Sequence, residues 1–240
     1  MKSEMMIDQL FARITGGDRS GARELVDRAV KNGMTHENLA SEVYWPLHEL
    51  LEKLVASKQI ANLAHHYATR ILRMLVDQAQ RGYTRRPLRG KTISMFCSDT
   101  APDELTAQLV ADLAEADGYT VRYGGCGVAR DEILNEVSNA HPDMLLIFST
   151  SATDAITVQH LVETIREIGA CTEMKIAVGG SAFKRNSKLA REIGADMWAG
   201  SPRDMLDLLT EKKKFRATKP RPTADIQVTR KTRGSKRKAA

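Results

Sequence analysis

The sequence predicts an α/β protein, with an N-terminal four-helix bundle followed by a parallel sheet covered on both faces. Three observations predict it. Residues 1–80 carry their apolar residues at helical spacing. Residues 92–200 alternate short β-type apolar runs with longer segments at helical period. Residues 211–240 lose apolar residues and gain charge. Alternation of strand and helix argues for parallel strands joined by crossover helices. Five strands in this order suit a flavodoxin-like sheet, which binds ligands at the carboxyl ends of its strands.

In chain order, Met6, Leu10, Phe11 and Ile14 give the first helix one apolar face, and Gly16-Gly17 ends it. Asp18 is an N-cap for a second helix with Ala22, Leu25, Val26, Ala29 and Val30 on one face, stopped at Asn32-Gly33. Thr35 starts a third, which Pro46 should kink. Ser57 is the expected cap of a fourth, running to about Gln80 on a stripe of Ile60, Ala64, Tyr67, Ile71, Met74 and Gln78. The expected strands are 92–97, 119–123, 144–148, 174–178 and 196–199, with helices over 103–115, 131–139, 154–167 and 184–193. The domain boundaries follow: a helical cap over 1–82, a linker over 83–91, the α/β domain over 92–210 and a disordered basic tail over 211–240. The linker is long enough to let the bundle sit on the strand ends.

Composition bounds the function. Hydrophobic residues at 42% and charged residues at 28% are ordinary for a soluble globular chain. No apolar run approaches the ~20 residues of a membrane helix. The N-terminus Met1-Lys2-Ser3-Glu4 has no secretory pattern. Cys97, Cys126 and Cys171 form no CxxC, which suits a reducing cytoplasm without disulfide framework or zinc site; Cys97 reads as a buried strand residue. The net charge of +6 is unevenly spread. Residues 211–240 hold twelve of the 36 Lys and Arg against Glu211 and Asp225, so the tail carries +10 and the body −4. The run from Lys212 to Lys238 has two readings, a solvated end or contact with nucleic acid through phosphates.

Several chemistries are excluded. Gly125-Cys126-Gly127 lacks the third glycine of a dinucleotide fingerprint, and no GxxxxGK[ST] or GxSxG occurs. Phe148-Ser149-Thr150 stands where a phosphoacceptor domain would need an aspartate. His65 and His66 are adjacent, hence on different helix faces and poor as a metal pair. The strand-end loops are small and polar: Ser98-Asp99-Thr100, Gly124-Gly125, Ser149-Thr150-Ser151, Gly179-Gly180-Ser181 and Gly200-Ser201. Each alone reads as turn chemistry. Together, at one end of a sheet, they read as a pocket whose backbone approaches a ligand closely.

A four-helix cap, a linker and a five-stranded α/β domain ending in a Val178-Gly179-Gly180-Ser181-Ala182-Phe183 loop resemble the cobalamin-binding module family. That family includes the modules of methionine synthase, corrinoid methyl carriers and light-sensing transcriptional regulators. The matching residues are Gly33, Pro46, the Ile60–Thr69 stretch, Gly118, Pro142-Asp143, Gly179-Gly180, Phe183 and Gly194-Ala195-Asp196. His66 falls on the histidine of the family's Glu-His pair, which makes it a candidate cobalt ligand by resemblance; the glutamate position is His65. The departures are specific. In the family's Asp-x-His-x-x-Gly, whose histidine ligates cobalt from below, the three positions fall on Ala101, Asp103 and Thr106. The tryptophan of the photoreceptor subgroup falls on Val55, and a serine ending the third strand falls on Phe148, with Ser149 next.

The resemblance implies cobalamin as cofactor, with haem as a second tetrapyrrole. It places the binding residues at His65, His66, Ser98, Asp99, Asp103, Ser149, Thr150, Ser151, Gly179, Gly180, Ser181 and Phe183. It leaves three readings open. The first is a non-enzymatic cytoplasmic sensor of a corrinoid held between cap and sheet, signalling to a protein partner and through it to transcription. The second is a methyl carrier serving a methyltransferase, which the missing histidine opposes. The third is an interaction scaffold whose pocket Phe148 fills. Self-association is compatible with each.

Overall fold

In the computed structural model the described residues are 3–98, 101–149, 154–169, 171–180, 182–183 and 187–210. Helix α1 (Ser3–Thr15) buries Met6, Leu10 and Ile14; α2 (Arg19–Lys31) buries Ala22, Leu25, Val26 and Ala29. Asp18 caps α2 by accepting a 2.9 Å hydrogen bond from the Gly21 N–H. A single turn, α3 (His36–Asn38), is capped by Thr35 and runs into a π-helical stretch over Leu39–Tyr44, then α4 (Trp45–Ala56). Pro46 has no N–H to give the preceding turn. The π stretch ends at Tyr44, two residues before it, so the expected kink takes the form of a widened turn.

The fourth helix begins later than expected. Ser57 is the C-cap of α4, with Lys58 left-handed at φ +57°, and α5 (Asn62–Ala79) starts after Ala61. Its buried stripe is Ala68, Ile71, Leu72, Leu75, Val76 and Ala79, with Tyr67 43% exposed. The true stripe is rotated by about one residue, because Leu72, Leu75 and Val76 outweigh the partly polar row through Tyr67 and Gln78.

After a short 3₁₀ turn (Gln80–Gly82) the chain enters β1 (Thr92–Cys97), α6 (Ala101–Ala116), β2 (Thr120–Gly125), α7 (Arg130–Ala140) and β3 (Met144–Phe148). It continues through α8 (Asp154–Ile168), β4 (Lys175–Gly179), α9 (Ser187–Glu192), β5 (Met197–Ala199) and α10 (Pro202–Leu209). All five strands are parallel in the order β2-β1-β3-β4-β5. The order reverses between β1 and β3, whose carboxyl ends form the switch point where such sheets bind ligands. One face packs Met95, Leu146, Phe148 and Ala177 under α6 and α10. The other packs Ile147, Ile176 and Val178 under α7, α8 and α9.

The cap joins the sheet domain through α6. Leu105, Leu109, Leu113 and Ala116 belong to the same apolar core as the cap helices. Polar contacts run beside them: Arg73 pairs with Glu104 at 2.7 Å, Gln108 donates to Asp77 at 2.6 Å and Gln80 donates to Asp112 at 3.0 Å. Both sets advance one helical turn at a time, so α5 and α6 lie side by side and parallel. The seam extends along the length of α6, not only at the strand ends.

Candidate strand-end ligand site

The loop after β1 leaves the sheet at Ser98, whose N–H donates to Phe148 O at 2.9 Å; the Ser149 N–H donates to Gly179 O at 2.9 Å. These bonds carry the ladder one residue past β1 and β3. Gly180 follows at φ +111°, and a Cβ there would stand 2.2 Å from Ser149 O. Only glycine lets these two loops approach so closely.

Beside Gly179 the space is filled. A Cβ on Gly179 would stand 2.5 Å from Phe148 Cε1, and the Phe148 side chain is fully buried. The Gly124 position is filled likewise by the Phe96 ring, also at 2.5 Å. A cleft of about 340 Å³ remains open at the switch point, on the α7–α8 face. Ser98, Gly127, Arg130, Asp154, Thr157 and Val158 are among its lining residues. Its volume is at the low end for a small-molecule site.

The sequence-predicted residues distribute as follows. Ser98 lines the cleft. Ser149, Gly179 and Gly180 meet at the ends of β3 and β4. Phe183 is completely buried in the core on the α7–α9 face, a packing position. Asp103 is completely buried on α6. Asp99, Thr150, Ser151 and Ser181 lie outside the described residues, as does the run from Lys212 to Lys238. In the cap, His65 Nε2 lies 3.7 Å from Glu52 of α4, and burial holds the Glu52 carboxyl above its usual range. His66 is exposed. The two rings sit 6.0 Å apart, and no metal-binding group of three His, Cys, Asp or Glu occurs among the described residues.

Sequence reasoning missed His48. It is 5% exposed on α4, its ring 5.8 Å from Trp45, and its Nε2 lies 3.3 Å from Thr106 Oγ1 of α6. Trp45 is itself a cap core residue. The signal was present: Leu47, His48 and Leu51 share a helical stripe, and a histidine there faces the same seam. A second omission is the pair Cys97 and Cys126, whose sulfurs stand 2.7 Å apart.

Comparisons with known proteins give one family match and several structural likenesses, of which the first structure below shares this fold. The family model described as "B12 binding domain" matches residues 94–209. Among solved structures, the monomethylamine corrinoid protein of Methanosarcina barkeri superposes with a TM-score of 0.75 at 15% identity, over 88% of this chain and all of that one. A cobalamin-binding protein of Desulfitobacterium hafniense DCB-2 gives 0.47 at 15% identity, over 88% of this chain and 98% of that one. A methanol:cobalamin methyltransferase complex of Methanosarcina barkeri gives 0.46 at 16%, over 87% and 80%. Comparison with curated proteins finds no match. No helix among the described residues is long and apolar enough to cross a membrane.

The residues present can be set against the cofactor that the resemblance implies. The space beside Gly179, where the resemblance would lay the nucleotide tail, holds the Phe148 ring. Asp103, which the resemblance puts at the lower-ligand position, would offer a hard carboxylate oxygen in place of imidazole nitrogen. Cobalamin seated on a lower histidine with its tail against these glycines does not fit this arrangement. The sheet topology and the family match agree over residues 94–209: this α/β segment is similar to B12 binding domains and is carried behind a helical cap.

Proposed function

We propose that this chain is a regulatory protein that senses a corrinoid and passes its binding state to a protein partner. The supporting observation is the seam. Helix α6 leaves the ligand-end loop after β1 and lies along α5 of the cap, with Thr106 on His48 and Leu105, Leu109 and Leu113 in the cap core. A ligand that displaces the β1–α6 loop has its effect at the cap, where a partner reads it. By the resemblance Asp103 falls where a lower histidine would stand, so a corrinoid would be held by shape and apolar contact and without a protein imidazole. A methyl carrier would need that histidine restored. The basic run Lys212–Lys238 provides a second contact with a polyanion, whose affinity falls steeply with salt.

The test is a visible absorption spectrum of the full chain after incubation with hydroxo- or adenosylcobalamin in the dark and desalting. About one corrinoid per chain is expected. With it, hydrogen exchange at the seam between α5 and α6 should change. Retention with an unchanged seam removes the sensing reading. No retention at tens of micromolar means binding weaker than about −6 kcal/mol. The scaffold reading then leads, which the buried Phe148 ring favours, and haem becomes the next tetrapyrrole to assay.

A further inference from the structure

Cys97 ends β1 and Cys126 directly follows β2. The two strands are parallel neighbours, paired Thr92↔Thr120 through Met95↔Tyr123. The next pair is Phe96↔Gly125, so Gly124 is an extra residue in β2. This bulge has two effects. It brings Cys126 into line with Cys97, where uninterrupted pairing would bring Gly125. Because side chains alternate along a strand, it also turns Cys126 to the face of Met95, Cys97 and Tyr123. All four side chains pack against the core under α6.

The resulting separation is 2.7 Å between the two sulfurs. Neighbouring strands lie ~4.8 Å apart, within the ~4.4–6.8 Å between Cα atoms that a disulfide spans. Gly125 at φ +74° and Gly127 at φ +73° bracket Cys126, so the loop can adjust when the bond forms. Cys97 is 9% exposed and Cys126 is half-buried, which gives an oxidant access to Cys126 first. Cys171 has no part in this. It precedes β4 at the opposite end of the sheet, with its sulfur 3.0 Å from His141 Nδ1.

We propose that Cys97 and Cys126 are a redox pair that closes to an intramolecular disulfide under a peroxide oxidant. The Cys126 thiolate attacks one peroxide oxygen and the O–O bond breaks. Cys126 becomes a sulfenic acid, and the departing hydroxide takes a proton to leave as water. The Cys97 sulfur then attacks the Cys126 sulfur and the S–O bond breaks. The Cys97 proton leaves with the hydroxide as a second water. Two thiols and one hydrogen peroxide become one disulfide and two waters, with sulfur oxidised and peroxide oxygen reduced. A small dithiol reverses the step by exchange. The bond ties the end of β1, just before Ser98, to the glycine loop after β2. Cys97, Ser98 and Gly127 all line the switch-point cleft, so oxidation fixes one wall of it.

The test is a thiol count on the full-length folded chain. Reduced protein is treated with hydrogen peroxide in small excess, then denatured and alkylated, and its intact mass is measured. Alkylatable thiols are expected to fall from three to one, with the remaining label on Cys171 and a linked peptide joining Cys97 to Cys126. Dithiothreitol should restore three. Cys171→Ser should leave the link intact, and Cys126→Ser should abolish it and keep both remaining thiols. Three labelled thiols after peroxide, a link that includes Cys171, a link between chains, or a link formed only after denaturation would each overturn the proposal. The wild-type count needs no variant to fold.

Discussion

His48 of α4 and Thr106 of α6 meet at 3.3 Å inside the buried seam between cap and sheet domain. The contact joins residues 58 positions apart and sits among leucines that bind the two parts into one core. A hydrogen bond placed there holds the relative setting of the domains as well as their stability. His48→Ala is expected to lower unfolding free energy by about 1–3 kcal/mol, since it removes the bond and leaves a cavity. In a double-mutant cycle with Thr106→Val, urea denaturation should show a coupling of about 0.5–1.5 kcal/mol. A coupling of zero would mean that the seam rests on its leucines alone.

Asp112 predicts a pH dependence. Burial raises its pKa to about 7, with further upward contributions from Glu115 and Asp77, against a lowering by the Gln80 hydrogen bond. Its Oδ2 is buried without a hydrogen-bond partner, an arrangement that suits the protonated carboxyl. The folded state therefore holds a proton that the unfolded chain releases near pH 4. Stability from this group is full below that point and is lost as pH rises to about 7, by up to about 4 kcal/mol. Asp112→Asn keeps the shape without the charge. It should be more stable than wild type at pH 8 and flatter between pH 4 and 7, as read from urea midpoints. Equal slopes in the two proteins would place the titration elsewhere.

The sheet was legible because its signals are short-range. Met144–Phe148 is an unbroken apolar run, and a strand buried on both faces must be one. The cap was less legible at the start of α5, where Ser57 has the chemistry of a helix start but serves as the preceding helix's end. Only the packing of Leu72 and Val76 decides between the two stripes. The candidate site was half legible. Gly180 announces a close approach, and Ser149 O supplies it. His48 and the Cys97–Cys126 pair were not read, because each depends on a partner distant in sequence. For the cysteines it also depends on a bulge that shifts register by one residue, which alternation alone cannot reveal.

Phe148 and Gly179 predict one another. The ring lies where a Gly179 side chain would stand, 2.5 Å from the Cβ position. Gly179→Ala should therefore destabilise the fold by about 1–3 kcal/mol through overpacking. In Phe148→Leu, whose branched chain can retreat, the same change should cost less. Phe148→Ser removes the ring and leaves a space beside Gly179 and Ser149. It should lower stability by about 3–5 kcal/mol, as large core truncations do. If the ring is what excludes the cofactor's tail, the same variant should retain corrinoid more tightly than wild type in the desalting assay. The two effects oppose each other, which separates them: a variant that is merely loosened loses stability without gaining ligand. Unchanged corrinoid retention in a folded Phe148→Ser protein would remove the ring as the obstacle. Asp103 on α6, buried and placed by the resemblance at the position of the histidine, would then be the next residue to replace.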